Sequence, residues 1–325
     1  MLLICRYCEF KVTLDKISAH SMKRIALFVI CVLITVSTDA QLLWRITGNG
    51  LEKPSYLFGT YHIAPFSLVD SIEGLASAIS NVDKVYGEVV ASDMLNPDTL
   101  AYMAQRLTLP GDTTLAGLLS PQEFSTVETF LENNLKLSLD DINMAKMLPV
   151  AVTNQITVLT TVKGVPDYDP SNPLDAGIQE LAKSLGKEVE GLESVGIQMD
   201  FMVSQPLRRQ IEQLVCTVES FDSLAAQSRQ LTDAYFSQDL SRIEALMIGD
   251  GEDSACDYTP EEKYALINER NEAWMRKLPD IMESGSTLFA VGAGHLVGSD
   301  GLIAMLIDAG YEVEPVEKPM YERME

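Results

Sequence analysis

The stretches "YLFGTYH" (56–62) and "LFAVGAGH" (288–295) decide the fold. Each is an apolar run that ends in glycine, two further residues and histidine. The chain has three histidines in 325 residues. One, His20, lies in an N-terminal leader described below. The other two, His62 and His295, therefore share one context, each three residues after a glycine (Gly59 and Gly292). Short apolar runs bounded by glycine read as strands. A glycine at the strand end lets backbone approach a bound species closely. Gly59, Gly292 and Gly294 are accordingly read as shaping a site.

The flanking sequence repeats the echo. "SLVDSIEGLASAIS" (67–80) has helical apolar spacing and is followed by a strand, "KVYGEVV" (84–90). After His295 come a helix, "DGLIAMLIDAG" (300–310), and a strand, "YEVEPV" (311–316). Ahead of the first motif, "LLWRITG" (42–48) and the turn "GNGLEKPS" predict a β-hairpin with it. Between the ends, "AGIQELAKSLG" (176–186) predicts a helix, with Asp175 as no more than its N-cap, and "KEVEGLE" (187–193) a strand. Residues 94–165 and 196–283 read as almost entirely helical. The fold class is α/β (α+β): a mixed central sheet of two pseudo-equivalent halves with a large helical insertion, as one domain over 41–325. In such sheets chemistry gathers at the carboxyl ends of the strands, where both histidines fall.

From Met22 the chain reads "MKRIALFVICVLITVSTDAQ", a basic start, an apolar core and a small-residue cleavage site before Gln41. That is a secretory signal peptide over 22–40, with 1–21 an over-extended start. The alternative is an uncleaved N-terminal membrane anchor. The protein is thus expected in a periplasmic or extracellular compartment, without stable membrane insertion once the leader is removed. There, the two cysteines beyond the leader, Cys216 and Cys256, are expected to form a disulfide, with Cα atoms about 4.4–6.8 Å apart, the alternative being two separate buried thiols. Removing the five basic and three acidic residues of 1–40 from 24 and 47 leaves 19 against 44, a net charge of −25. That acidity excludes nucleic acid and anionic membrane surfaces as partners.

Two imidazoles and one carboxylate form the smallest open site for a catalytic divalent metal. A single histidine at a glycine turn also has a structural reading, bonded to a loop carbonyl, but both in one context favour a shared site. Glu88 supplies the carboxylate, because "VYGEVV" puts an acid inside an otherwise apolar strand. The alternative is that strand alternation turns it to solvent. Glu193, at the end of the next predicted strand, has a weaker claim of the same kind. Arg270, in the amphipathic helix "LINERNEAWMRKL" (266–278), either pairs with Glu269 or Glu272 on the surface or binds a substrate carboxylate or developing oxyanion. The sequence contains no HExxH, GxSxG or Walker motif.

"LLWRITGNGLEKPSYLFGTYH", "VYGEVV", "GKEVEGLES…Q", "INERNEAWM" and "FAVGAGHLVGSDGLIAMLIDAGYEVEPV" together resemble the TraB/GumN family and its animal relatives, the Tiki metalloproteases, over about 42–317. The resemblance implies a metal-dependent hydrolase of peptides or proteins. Its one divalent ion, manganese or cobalt with zinc and iron as alternatives, would be held by His62, Glu88 and His295. With both histidines as ligands, Glu193 is left as proton acceptor and Arg270 orients substrate or stabilises the oxyanion. The wider superfamily includes erythromycin esterase-like and ChaN-like proteins, where histidine and glutamate activate water without a metal. That leaves a metal-free hydrolase open, and beside it a non-catalytic protein that captures a peptide or metal. A shared metal site would put the two imidazoles within about 8 Å, with Glu88 reaching the same cleft.

Overall fold

The computed structural model describes residues 41–141, 144–248 and 256–316, so the leader and over-extended start lie outside the described residues. Strands β1 (Leu43–Gly48) and β2 (Ser55–Thr60) form the expected hairpin, with Leu43 opposite Phe58 and Ile46 opposite Ser55. Gly48, Asn49 and Gly50 all take positive φ in its turn, which glycine and asparagine do at least cost. Helix α1 (Leu75–Asn81) leads to β3 (Lys84–Gly87); ahead of it the expected longer helix breaks into a 3-10 turn over Phe66–Ser71. Gly74 between them has φ +78, so the chain changes direction there.

The sheet order is β4-β3-β5-β2-β1-β6, with β4 over Glu188–Gly191, β5 over Thr287–Gly292 and β6 over Tyr311–Pro315. The four strands β4, β3, β5 and β2 are mutually parallel. β1 runs against both of its neighbours, so the sheet is mixed. The echo of the two ends is physical, since β2 and β5 lie side by side with Thr60 opposite Gly292. The connections that follow them differ: β2 to β3 crosses one strand, whereas β5 to β6, through helix α9 (Leu302–Asp308), crosses two.

Register fixes what the strand ends present. Gly87 lies opposite both Ala290 and Gly191, and Gly59 opposite Val291. The four parallel strands therefore stop nearly level. The next few residues of each place Glu193, Glu88, His295 and His62, in spatial order, along one edge.

The sheet core includes Phe58, Leu57, Phe289, Leu288, Ile79 and Trp274, all without solvent exposure. The helical insertion has a separate core, in which Val127 of α2 (Pro121–Phe130), Val152 of α3 (Pro149–Thr161) and Leu214 of α5 (Leu207–Glu219) meet. α2 begins with the expected capping box, Ser120 and Glu123 exchanging bonds with each other's backbone. Helix α4 (Leu174–Ser184) and β4 interrupt the insertion and return the chain to the sheet. Among the described residues no helix is long and apolar enough to cross a membrane.

Cys216 on α5 and Cys256 are disulfide-bonded with Cα atoms 5.3 Å apart, inside the expected window. Arg209, two turns earlier on α5, donates to both oxygens of Glu262 at 2.9 Å, so two cross-links hold the same pair of segments. The bridge closes a sequence separation of 40 residues. Cys216→Ser with Cys256→Ser should therefore lower unfolding free energy by about 2–4 kcal/mol in urea titrations. Free thiols in protein taken from an oxidising compartment would contradict the pairing.

Candidate functional site

Glu88 stands one residue beyond β3 rather than within it, and is turned inward, 7% exposed, rather than to solvent. Its loop is held from behind. Gln179 on α4 donates to Val89 O and accepts from Ala91 N–H, and a Cβ at Gly87 would stand 2.3 Å from the Gln179 amide nitrogen. Glu193 N–H donates to Glu88 O, so the β3 and β4 ends are stitched together past their ladder. Glu88 Oε1 accepts from Gly292 N–H at 2.8 Å, which ties the acid to the end of β5. Its Oε2 accepts from Gln198 at 3.0 Å and from Arg270 Nη2 at 2.5 Å.

Arg270 occupies the centre of the group. It donates through Nη2 and Nε to Glu193, at 2.6 and 3.1 Å, and through Nη1 to Leu266 O at 3.2 Å. Nη1 also lies 2.9 Å from His295 Nε2, and the guanidinium carbon sits 4.8 Å above the Trp274 ring. The π-helical turn Tyr264–Asn268 ahead of α8 (Glu269–Met275) widens the helix there. Arg270, Asn271 and Trp274 all then face inward, and Asn271 and Trp274 have no solvent exposure. The surface pairing of Arg270 with Glu269 or Glu272 does not occur; Glu272 accepts from Tyr264 instead.

The hydrogen bonds fix the His295 tautomer. Asn271 Nδ2 donates to two carbonyls, His295 O and Asp300 O, so its Oδ1 faces the ring. His295 Nδ1, 2.7 Å from that oxygen, must carry the proton. Nε2 is then a lone pair and accepts from Arg270. Burial pushes His295 down to about 3; Glu88 opposes this and Arg270 and His62 reinforce it, so the ring is neutral at physiological pH.

His62 is the opposite case. Its side chain is 66% exposed at the mouth of the site, and Nδ1 lies 3.2 Å from Asp175 Oδ2. Asp175 is not the helix cap, a position Pro173 takes without a side-chain bond. Its other oxygen accepts from the buried Thr60 hydroxyl at 2.7 Å, so the aspartate spans β2 and α4. The Asp175 carboxylate raises the His62 pKa to about 9, against a smaller opposing effect of the protein around it; with the ring two-thirds exposed, water weakens both. His62 is thus an imidazolium at rest.

The point where a Cβ at Gly292 would stand lies 3.2 Å from Glu88 Oε1, 3.7 Å from His295 Cδ2 and 3.9 Å from His62 Nε2. Three residues far apart in sequence thus surround one small space that only glycine leaves free. Gly59 and Gly294 serve packing instead. A Cβ on Gly59 would press on Ala293 and Leu296 at 3.1 Å, and one on Gly294 would strike Met247 at 2.7 Å. Beyond Glu193 a broad groove of about 740 Å³ opens along Val89, Val90, Tyr102, Val195 and Ile197.

A metal ion was expected on His62, Glu88 and His295. The donor types suit one, yet among the described residues no three such side chains stand together in a way that holds an ion. The physical reason is Arg270, which takes the His295 lone pair and Glu88 Oε2 for itself. Glu88 Oε1 and His295 Nε2 are 3.8 Å apart, wider than the roughly 3 Å typical of ligands about 2.0–2.2 Å from one ion. As arranged, the residues do not fit a metal. Glu193 is likewise no free base, being 4% exposed with both oxygens bonded by Arg270 and one also by Trp274 Nε1. Arg270 faces these carboxylates, not open solvent where a substrate would lie. Asp175, Asn271, Gln198, Thr60 and Trp274 were not foreseen as parts of the site. Gln198 and Trp274 stood in the family-like runs "GKEVEGLES…Q" and "INERNEAWM", and Asn271 beside Arg270 in "NERN".

The TraB/PrgY/gumN family model matches residues 42–315. The chain is 24% identical to "Metalloprotease TIKI1" of Danio rerio, over 87% of this chain and 65% of that protein. It is 24% identical to "Metalloprotease TIKI2" of Danio rerio over 87% and 62%, and 25% identical to "Metalloprotease TIKI2" of Xenopus tropicalis over 84% and 59%. The chain thus spans about three fifths of the curated relatives it matches. No solved structure matches.

The cluster makes stability pH-dependent. Burial opposes ionisation of Glu88, but His62, His295 and Arg270 lower its pKa from 4.5 to about 2; with His295 neutral at physiological pH, His62 and Arg270 carry that effect there. A depressed folded pKa contributes stability above pH 4.5, lost as pH falls through 2. Chemical denaturation at pH 6 and pH 3 should show part of that loss, on the order of 1–3 kcal/mol in all. Glu88→Gln should remove that part of the pH dependence, and an unchanged profile would contradict the assignment.

Proposed function

The chain belongs to the TraB/PrgY/gumN family, and from that premise we propose that it is a metalloprotease-like hydrolase of peptide bonds, acting outside the cytoplasm. The observation that carries this reading is the convergence of His62, Glu88 and His295 on the space at Gly292. Curated relatives named as metalloproteases support the reaction class, and a disulfide fits an oxidising compartment. The neighbouring groove is broad enough to seat an extended chain.

The residues divide the work by charge. A water seated just outside the Gly292 Cα, between Glu88 Oε1 and His62 Nε2, would be within reach of both. Glu88 orients it, because Gly292 N–H, Gln198 and Arg270 leave that carboxylate no freedom to turn. His62, once deprotonated, takes a proton from the water at Nε2. Asp175 stabilises the imidazolium that results and holds Nε2 toward the cleft. The same imidazolium then returns the proton to the leaving amine. His295, locked by Asn271, closes the far side of the space as a neutral ring. Glu193 anchors Arg270 and takes no proton itself.

Manganese or cobalt dependence, which the resemblance implies, would require Arg270 to release Glu88 and His295 first, since the resting arrangement does not fit an ion. The second reading, a metal-free hydrolase, is favoured by one observation: a guanidinium already satisfies both carboxylates. Turnover that persists after exhaustive chelation decides for it.

The test is a quenched-fluorescent peptide library on purified protein, with chelator or added manganese. His62→Ala, Glu88→Gln and His295→Ala should each lower kcat/KM at least 100-fold while the circular dichroism spectrum is unchanged. Gly292→Ala, whose methyl would fill the shared space at an ordinary φ of −51, should do the same without unfolding. Full turnover by His295→Ala would sink the proposal.

A further inference from the structure

Arg270 has a fixed positive charge and sits between two buried carboxylates and a neutral imidazole lone pair. Those are the partners a divalent cation would seek. We propose that Arg270 is the built-in cation of this site, and that a divalent metal and the Arg270 contacts to Glu88 and His295 exclude one another. The proposal rests on the metalloprotease-like reading only for the expectation that an ion binds here at all.

Three features of the cluster support it. First, the overlap is atom for atom. His295 Nε2 is the nitrogen left as a lone pair by Asn271, and Arg270 Nη1 donates to it at 2.9 Å. Glu88 Oε2 takes Arg270 Nη2 at 2.5 Å. A metal cannot bind that lone pair while the guanidinium holds it, and two cations on one carboxylate repel.

Second, the arginine has somewhere to go. Glu193 accepts from Nε at 3.1 Å and from Nη2 at 2.6 Å, and Trp274 both lies beneath the guanidinium and donates to Glu193. None of these contacts involves Glu88 or His295. Arg270 can therefore release both residues and keep its countercharge, so no buried charge is left alone. This gives Glu193 a role: it is a positioning residue that receives the arginine.

Third, the remaining members are set for an incoming charge. His62 is exposed, carries Asp175 on Nδ1 and points Nε2 at the same space. The partner on its second nitrogen is the arrangement that orients metal-binding histidines. Arg270 holds the other two members, and His62 must also give up its Nε2 proton before the donor set can close.

The experiment measures metal binding directly. Metal-free protein is titrated with Mn²⁺, free ion being read by electron paramagnetic resonance, for the parent, Arg270→Gln and Arg270→Gln/His295→Ala. Arg270→Gln should bind Mn²⁺ at least tenfold more tightly than the parent, and the double variant should lose that gain. In chelator the Arg270→Gln melting temperature should fall below the parent's, since Glu88 and Glu193 lose their partner, and Mn²⁺ should restore it. Equal affinity in parent and Arg270→Gln, including no binding by either, overturns the proposal. If Arg270→Gln does not fold, the parent decides. The Arg270 Nη protons should lose hydrogen-exchange protection as Zn²⁺ saturates the site, and protection that persists while the ion binds is the overturning result. None of these readouts uses turnover, so a hydrolase reading lost to an active His295→Ala is scored separately.

Discussion

The Arg270–Glu88 pair is the interaction on which the rest of the site depends. Glu88 is buried at the end of a strand, and a buried carboxylate without a cationic or hydrogen-bonding partner would protonate or destabilise the fold. Its two oxygens are instead bonded from β5 through Gly292, from the helix after β4 through Gln198, and from α8 through Arg270. One carboxylate thus gathers three segments that meet nowhere in sequence. Breaking the pair from either side leaves a charge in a dry place, which is why the cluster must be described as a unit. Double-variant measurements, not single substitutions, are what apportion its energy.

Much of this was legible in the sequence because strand periodicity and strand-end chemistry are local properties. The hairpin, the strand after α4 and the helix-strand unit at the carboxyl end all follow from runs such as "LLWRITG" and "YEVEPV", and the structure has them at those places. The two G-x-x-H steps identified the right edge of the sheet because β2 and β5 are parallel neighbours in nearly level register. The cysteine pair was legible because only two cysteines lie beyond residue 40.

What the sequence did not reveal is pairing across space. Asp175 looked like a helix cap because acids favour first turns for that reason alone. Its real partners, Thr60 and His62, come from a strand more than a hundred residues earlier. Arg270 looked like a surface residue or a substrate ligand because α-helical periodicity was assumed through "LINERNEAWM". The π-helical turn shifts that register and turns Arg270, Asn271 and Trp274 inward together. Glu193 looked like a free base because its guanidinium partner, 77 positions later, is invisible to spacing.

The central claim is that each charge of the resting site is paired within it, with one histidine held neutral and the other held charged. Nitrogen-15 NMR of the two ring systems tests it most directly, since His62 and His295 are the only histidines beyond residue 40. Between pH 5 and 8 His295 should remain neutral, with a proton on Nδ1 and a bare Nε2. His62 should remain an imidazolium beyond pH 7 and titrate above its ordinary value of 6.5. Two rings that both titrate near 6.5 as independent, solvated imidazoles would contradict the account.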